Sequence, residues 1–448
     1  MVSLWTGLAL ASALSGIDTP VEAVVPVFQR LRQEEDWLAW CSQKTVHQYS
    51  YKCLQVPSDG NVSFGGEVRW RYASTFQPEW SEAASTAVFF QRYVIFADWR
   101  FSPNVRVFSQ LSSAIASGSN STISALDENQ LSVQQVFLQW QERERWQVTI
   151  GRQEMYFGSG RLIDVREGPN VRRRFDAASL RMYHHNWQLE SFYARPWLTA
   201  TGIFDDRLDP QQELWGLYAT RYVVSSLHFD LYYLGYRHRE NQYKQGIGSE
   251  LRHTLGSRAW GGYERLSFNW EFMFQFGRFN EQLIQAWSIA TDTRLQLGRE
   301  ARGWLGVSAN LASGDTDSAD SKLGTFNPLF PRGNYFSELA MLGPSNFYNL
   351  QPYLIYQPTS ALELVAGINF YWRLSNEDGV YGPSGQLLPV SAEQRQHYVA
   401  TELSLSAALS LSRATKLTLV YARSAPSELM GLNKKTTDHL EFTMKLLF

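Results

Sequence analysis

Strand-period patterning, a polar yet aromatic-rich composition and an alternation of tight turns with long loops predict an all-β fold. The expected architecture is a transmembrane antiparallel β-barrel of about 18 strands with both termini periplasmic. The patterning is clearest over residues 267–279. There Phe268, Trp270, Phe272, Phe274 and Phe276 alternate with Asn269, Glu271, Met273, Gln275 and Gly277, a period of two. A soluble strand would turn such aromatics toward a covered core. This chain has many strands of the kind and no helices to cover them, so the aromatic face is expected to meet lipid and the polar face a lumen. Aromatics make up 14% of the 448 residues although mean hydropathy is -0.31. A helical membrane protein needs apolar runs of roughly 20 residues, and none follows the start of the chain. The net charge of -2 argues against a nucleic-acid partner.

In chain order, residues 1–23 read as an export signal: an apolar stretch over 4–14, then Val21, Glu22 and Ala23 before a cut, with Pro26 just beyond. The stretch lacks the positive charge that usually precedes it. Residues 24–60 form a periplasmic segment, with 28–40 expected as a short amphipathic helix too small to plug a barrel. Cys41 and Cys53 lie in it. In an exported chain a close, even pair is most simply a disulfide, the alternative being two free thiols. Residues 61–448 are the expected barrel. Tight turns are expected at 102–104, 142–144, 185–186, 225–226 and 358–360, and long loops at 74–87, 115–131, 154–174, 195–212, 314–346 and 374–394. Short turns on one rim and long loops on the other are how bacterial outer-membrane barrels are built.

Parity then sorts the side chains. Phe64, Val68, Trp70 and Tyr72 share one face of the first strand, leaving Glu67, Arg69 and Arg71 on the other. The second strand puts Tyr93, Ile95, Ala97, Trp99 and Phe101 outward and Arg92, Asp98 and Arg100 inward. Over 362–373, Leu364, Ile368, Phe370 and Trp372 face lipid while Glu363, Asn369 and Arg373 do not. A lone arginine near the bilayer midplane costs roughly 2–4 kcal/mol, which assigns these arginines to the lumen. Guanidinium groups offer bidentate bonds to carboxylates and suit an anionic solute, although cross-strand pairing with lumen carboxylates explains any single one equally well.

Loop 154–174 stands apart, with Arg161, Arg166, Arg172, Arg173 and Arg174 against Asp164, Glu167 and the adjoining Asp176. It is net positive and long enough to fold into the pore mouth; the alternative is a solvated loop facing lipopolysaccharide. The stretch GRQEMYFGSGRLIDVREGPNVRRRFDAASL, residues 151–180, resembles the alginate-export family of outer-membrane barrels. SGDTDSADSKLGTFNPLFPRGNYF, residues 313–336, is similar to that family's long loop. The resemblance implies an eighteen-stranded porin-like barrel whose founding role is secretion of an acidic polysaccharide through an electropositive constriction. Its motif matches Arg152, Gln153, Gly158, Arg161, Arg174 and Asp176. The arginine run 172–174 and the near-neutral overall charge depart from that pattern and favour a broader class of anionic solute over alginate itself.

The candidate channel residues are therefore Arg69, Arg71, Arg92, Arg100, Arg152, Arg161, Arg174, Asp176 and Arg373. No catalytic residue, metal ligand or cofactor is expected: His184, His185, His228 and Asp230 find no nucleophile motif, and Asp315, Asp317 and Asp320 lack the spacing of a calcium loop. Expected partners are outer-membrane lipid and lipopolysaccharide, with an anionic saccharide or small acid as cargo. A diffusion porin for small sugars or organic acids, a barrel-embedded hydrolase and a non-conducting adhesion barrel are the competing readings.

Overall fold

The computed structural model describes residues 28–41, 50–56, 60–119, 123–142, 145–224, 226–298, 302–317, 319–333, 336–391, 395–431 and 434–448. The expected export signal, and parts of the turns at 142–144 and 225–226, lie outside them.

Eighteen long antiparallel strands form one closed sheet among the described residues. They are β1 (Gly60–Phe76), β2 (Thr86–Arg100), β3 (Val105–Ser119), β4 (Asn129–Glu142), β5 (Trp146–Gln153), β6 (Phe175–His184), β7 (Trp187–Leu198), β8 (Gln212–Val224) and β9 (Leu227–Tyr243). The circuit continues through β10 (Gly246–Tyr263), β11 (Leu266–Phe279), β12 (Gln282–Leu297), β13 (Gly303–Ala312), β14 (Phe347–Tyr356), β15 (Leu362–Trp372), β16 (Tyr398–Ser410), β17 (Thr415–Pro426) and β18 (Thr437–Leu447). Each pairs with its neighbour in sequence, and β18 pairs with β1, Arg69 opposite Lys445, so no edge is left unpaired. The seam is finished by the last residue: Phe448 exchanges both backbone hydrogen bonds with Gly66, at 2.8 and 3.0 Å. A Cβ at Gly66 would run into the Phe448 ring and the Val94 carbonyl, so only glycine leaves room there.

Parity falls as the alternation predicts. Phe64, Trp70, Tyr72, Ile95, Trp99, Trp270 and Phe272 are exposed on the outer wall, whereas Glu67, Arg69, Arg92, Asp98, Glu271 and Gln275 are buried inside. The short connections after β2, β4, β6, β8 and β14 share a rim with Phe448, and the long ones emerge on the other.

Residues 28–41 differ from expectation. In place of one amphipathic helix there is a 3-10 turn, Arg32–Glu34, and a single helical turn, Leu38–Cys41. The segment also enters the barrel: Leu31, Arg32, Glu35 and Trp37 are buried. A stretch judged too small to plug the lumen thus occupies its periplasmic side. Cys41 and Cys53 are disulfide-bonded, and Leu54–Val56 pairs with the first residues of β1.

Candidate functional site

Strands β5 and β6, with 8 and 10 residues, stop well short of β9 and β10, with 17 and 18. The 154–174 connection leaves the wall at that step and turns inward. Glu154 makes the turn, its amide donating to Gln135 Oε1 at 3.0 Å and its carboxylate accepting from Gln134 Nε2 at 2.9 Å. Gly158 and Gly160 reverse the chain at φ of 58° and 72°, a region other residues enter only with strain. Met155, Leu162, Ile163, Val165 and Val171 are buried, packing with Phe175, Phe326, Phe330, Phe336 and Phe347 or lying beside them in the loop. Apolar side chains hold the loop in the lumen and charged ones reach for the wall.

On one side it meets β1, β2 and β18. Arg92 lies 2.6 Å from both Glu67 of the wall and Glu167 of the loop. Arg172 spans Glu67 at 3.4 Å, Glu154 at 3.5 Å and Glu167 at 2.5 Å, and Lys445 sits 3.2 Å from Glu67 and from Glu167. Arg69 donates to the carbonyls of Glu167 and Pro169 and to Asn170 Oδ1, and Arg71 to the Gly168 carbonyl at 2.6 Å. In this clamp five cations (Arg69, Arg71, Arg92, Arg172, Lys445) face four carboxylates (Glu67, Glu154, Glu167 and Glu441, the last 3.8 Å from Arg71), an excess of one positive charge. Burial alone would push the Glu167 carboxyl up, but Arg172, Arg92, Lys445 and Arg69 together hold it well below the usual carboxylate range. Glu154 is pushed up, because its burial outweighs Arg172 and the Gln134 hydrogen bond.

On the far side the loop reaches β11. Arg161 lies 2.8 Å from Glu271, which also accepts from Ser159 at 2.6 Å and from the Tyr232 hydroxyl at 2.7 Å. The second long loop, between β13 and β14, packs against the first: the Phe330 amide donates to the Leu162 carbonyl, and the Asp164 amide to the Phe330 carbonyl. The two sequence blocks that carried the family resemblance therefore touch each other inside the barrel.

The candidate residues fall into three groups. Arg69, Arg71 and Arg92 belong to the clamp. Arg100, near the periplasmic rim, pairs with Asp98 and Asp36 at 3.4 Å each. Arg161 pairs with Glu271, Arg174 with Asp206 and Gln134, and Arg373 donates to the Gln396 carbonyl at 2.9 Å. All are buried or nearly so; Arg174 is only 2% exposed and Arg161 5%. Arg161 and Arg174, expected along the channel, are each turned onto a carboxylate, so neither guanidinium is open to a solute. Arg152 and Asp176 are corrected more fully. Arg152 stands opposite Val136, whose row carries the exposed Leu138 and Trp140, and Asp176 is opposite Arg152, so both lie on the outer wall. There they pair at 3.1 Å, with the Trp197 ring over the guanidinium. Sequence reading missed Glu67, Glu271 and Lys445 as loop anchors, although parity within their strands already placed them inside. It also missed Arg30, Arg32, Gln33 and Lys52, for which the sequence holds no periodic signal.

The family described as "Alginate export" matches residues 61–439. No curated protein matches the chain. Among solved structures, Acinetobacter baumannii OccAB2 superposes with a TM-score of 0.61 at 10% identity, covering 87% of this chain and 98% of that one. A BenF-like porin from Pseudomonas fluorescens Pf-5 gives 0.59 at 10% identity over 86% and 99%, and Pseudomonas aeruginosa OccD3 (OpdP) 0.57 at 13% over 86% and 91%. At such identities the likeness is one of fold.

Proposed function

The chain belongs to the alginate-export family, a barrel of the bacterial outer membrane, and from that premise we propose that it is a channel for anionic solutes, acidic saccharides among them. The single observation that supports anion preference is the clamp, where five cations outnumber four carboxylates at the place the inward loop meets the wall. A positive excess inside a low-dielectric wall favours counter-ions of opposite sign along the path beside it. Family and fold are those of channels, and we read the protein as one rather than as a barrel-embedded hydrolase. Its outer wall meets lipid. The extensive pairing of the arginines favours a second reading, a diffusion porin for small sugars or organic acids, in which the charges serve the loop and not the cargo. Reversal potentials across a potassium chloride gradient in planar bilayers separate the two: chloride preference supports the anion channel, and a cation-selective or indifferent pore overturns it.

A further inference from the structure

Residues 28–41 lie outside the matched region 61–439, yet Leu31, Arg32, Glu35 and Trp37 are buried against the barrel. From β1 to β4 the wall holds them at every step. Arg32 donates to the carbonyls of Gly66 and Phe448 at 2.7 and 3.0 Å, and Arg100 approaches Asp36. Arg106 Nη2 donates to the Gln33 carbonyl at 2.8 Å, and Gln135 Nε2 to Gln33 Oε1 at 2.9 Å. Behind them Lys52, at the end of a 3-10 turn, is fully buried, 3.2 Å from the Phe448 carbonyl and 3.9 Å from Glu35, and the Cys41–Cys53 bridge ties that stretch to the inserted segment. The innermost contacts reach the channel loop itself. Gln33 donates to the Glu154 carbonyl at 3.2 Å, and Arg30 Nη2 donates to both carboxylate oxygens of Asp164, 2.7 and 2.8 Å, with its guanidinium beside the Tyr156 ring.

We propose that this segment is a plug that closes the periplasmic half of the lumen, that the Arg30–Asp164 pair is its latch, and that a carboxylate-bearing solute arriving from the periplasm opens it by competing for Arg30. The latch is one guanidinium nitrogen, Nη2, shared between the two oxygens of one carboxylate, a charge-assisted contact that a uronate group can also make, so cargo and latch contend for a single guanidinium. Asp164 is wholly buried and cannot follow Arg30 outward, whereas the Arg30 side chain is about one-third exposed. The moving partner is therefore the plug. Near the tip the seat is otherwise built from neutral and backbone contacts, where Gln33 bridges wall and loop; the remaining ion pairs are Arg32–Glu35 within the segment, 2.6 Å, Lys52–Glu35 behind it and Arg100–Asp36 at the periplasmic rim. Withdrawal breaks no ion pair with the loop except the latch among the described residues. Solute competition rests on the anion-channel reading; the plug and its latch do not.

The test is single-channel recording on the full chain and on two variants, Arg30→Glu and Arg30→Glu with Asp164→Arg. Resistance of the unheated barrel to SDS reports correct folding for each. Losing one charge-assisted pair and setting two carboxylates together should raise the open probability of Arg30→Glu on the order of tenfold, and the double exchange should return it toward wild type. Oligogalacturonate in the periplasmic chamber should open wild type and leave Arg30→Glu unchanged, with neutral malto-oligosaccharide inert on both. An Arg30→Glu channel that opens no more often than wild type overturns the plug. A double exchange that fails to restore closure overturns the latch, and opening by the neutral sugar overturns competition. A latch that behaves as stated in a cation-selective pore leaves the plug and its latch standing while the anion-channel reading, and solute competition with it, falls.

Discussion

Glu167 is the residue on which the inward loop's hold on the wall converges, and Glu167→Gln measures that hold. Its carboxylate lies 2.6 Å from Arg92, 2.5 Å from Arg172 and 3.2 Å from Lys445, and its backbone carbonyl accepts from Arg69 at 2.9 Å. Glutamine keeps the carbonyl and one acceptor oxygen but removes the charge from the centre of three cations. Removing one partner of a buried pair costs about 3–5 kcal/mol. The Glu167 side chain is 28% exposed, and screening by water brings the expectation down to about 2–3 kcal/mol. At 1.4 kcal/mol per factor of ten, the ratio of seated to unseated loop falls roughly 30- to 150-fold. Open-channel current noise at fixed voltage reads that ratio directly, and it should rise while chloride preference also increases because a negative charge has gone. Selectivity that shifts with noise unchanged would refute the reasoning: Glu167 would then lie beside the path without holding the loop.

Acid should leave the clamp intact over a wide range. Because the Glu167 carboxyl is held below its unfolded value of about 4.3, its contribution is fully present above that pH and is lost only as pH falls through the lower folded value. In a Glu154→Gln background, which removes the clamp carboxyl that burial pushes up, channel noise should therefore be flat from neutral pH down to about 4.3 and climb below it. Lys52 gives the opposite window: burial, against the pull of Glu35, lowers its ammonium to about 8 from an unfolded value of about 10.4. Between those values the released lysine binds more protons than the seated one, so stability of the seated plug rises with pH, and open probability should fall as the periplasmic chamber goes from about pH 8 to about pH 10. Reduction of the Cys41–Cys53 bridge should raise open probability without changing open-channel conductance, since the bridge restrains the plug and not the wall. Mass spectrometry of the purified protein should find an N-terminus near Val24 and no alkylatable thiol before reduction.

The fold was legible because its signal is local and repeated. Alternation at Phe268, Trp270, Phe272 and Phe276 needs no knowledge of partners, and the parity of Arg69, Arg92 and Glu271 follows from the same count. Partnerships are another matter. Arg92 and Glu167 are 75 residues apart, Ser159 and Glu271 are 112 apart, and Lys445 and Glu167 are 278 apart. Strand parity says that such groups face inward and is silent on which of them meet. The same gap explains the fate of the arginines. A row of inward guanidinium groups reads as an anion path until the loop arrives with carboxylates and carbonyls enough to occupy them. The N-terminal segment was illegible for a different cause: its Arg30, Arg32 and Lys52 sit in no repeating pattern, and their seats are supplied by Asp164, Gly66 and Phe448.

Arg152 and Asp176 show where motif and parity conflict, and which prevails. A motif match groups them with the loop that enters the lumen; the count along β5 and β6 puts them on the outer wall, level with Val136 and two residues from the exposed Ile150. A lone arginine facing hydrocarbon costs roughly 2–4 kcal/mol, so the position is tenable only if the charge is answered locally. It is answered along the row. Arg152 stands opposite Asp176, Asp176 opposite Arg195, and on the next pair of strands Glu213 opposite Arg237, an alternation of sign across the outer face of five neighbouring strands. Trp197 covers the first guanidinium, and Arg152 Nη1 finds the Val133 carbonyl at 3.2 Å. The motif therefore marks a place where the wall shortens and its charges must be paired before the chain can turn inward. Its arginine serves the strand that launches the loop, and the solute's route is set by residues further along it.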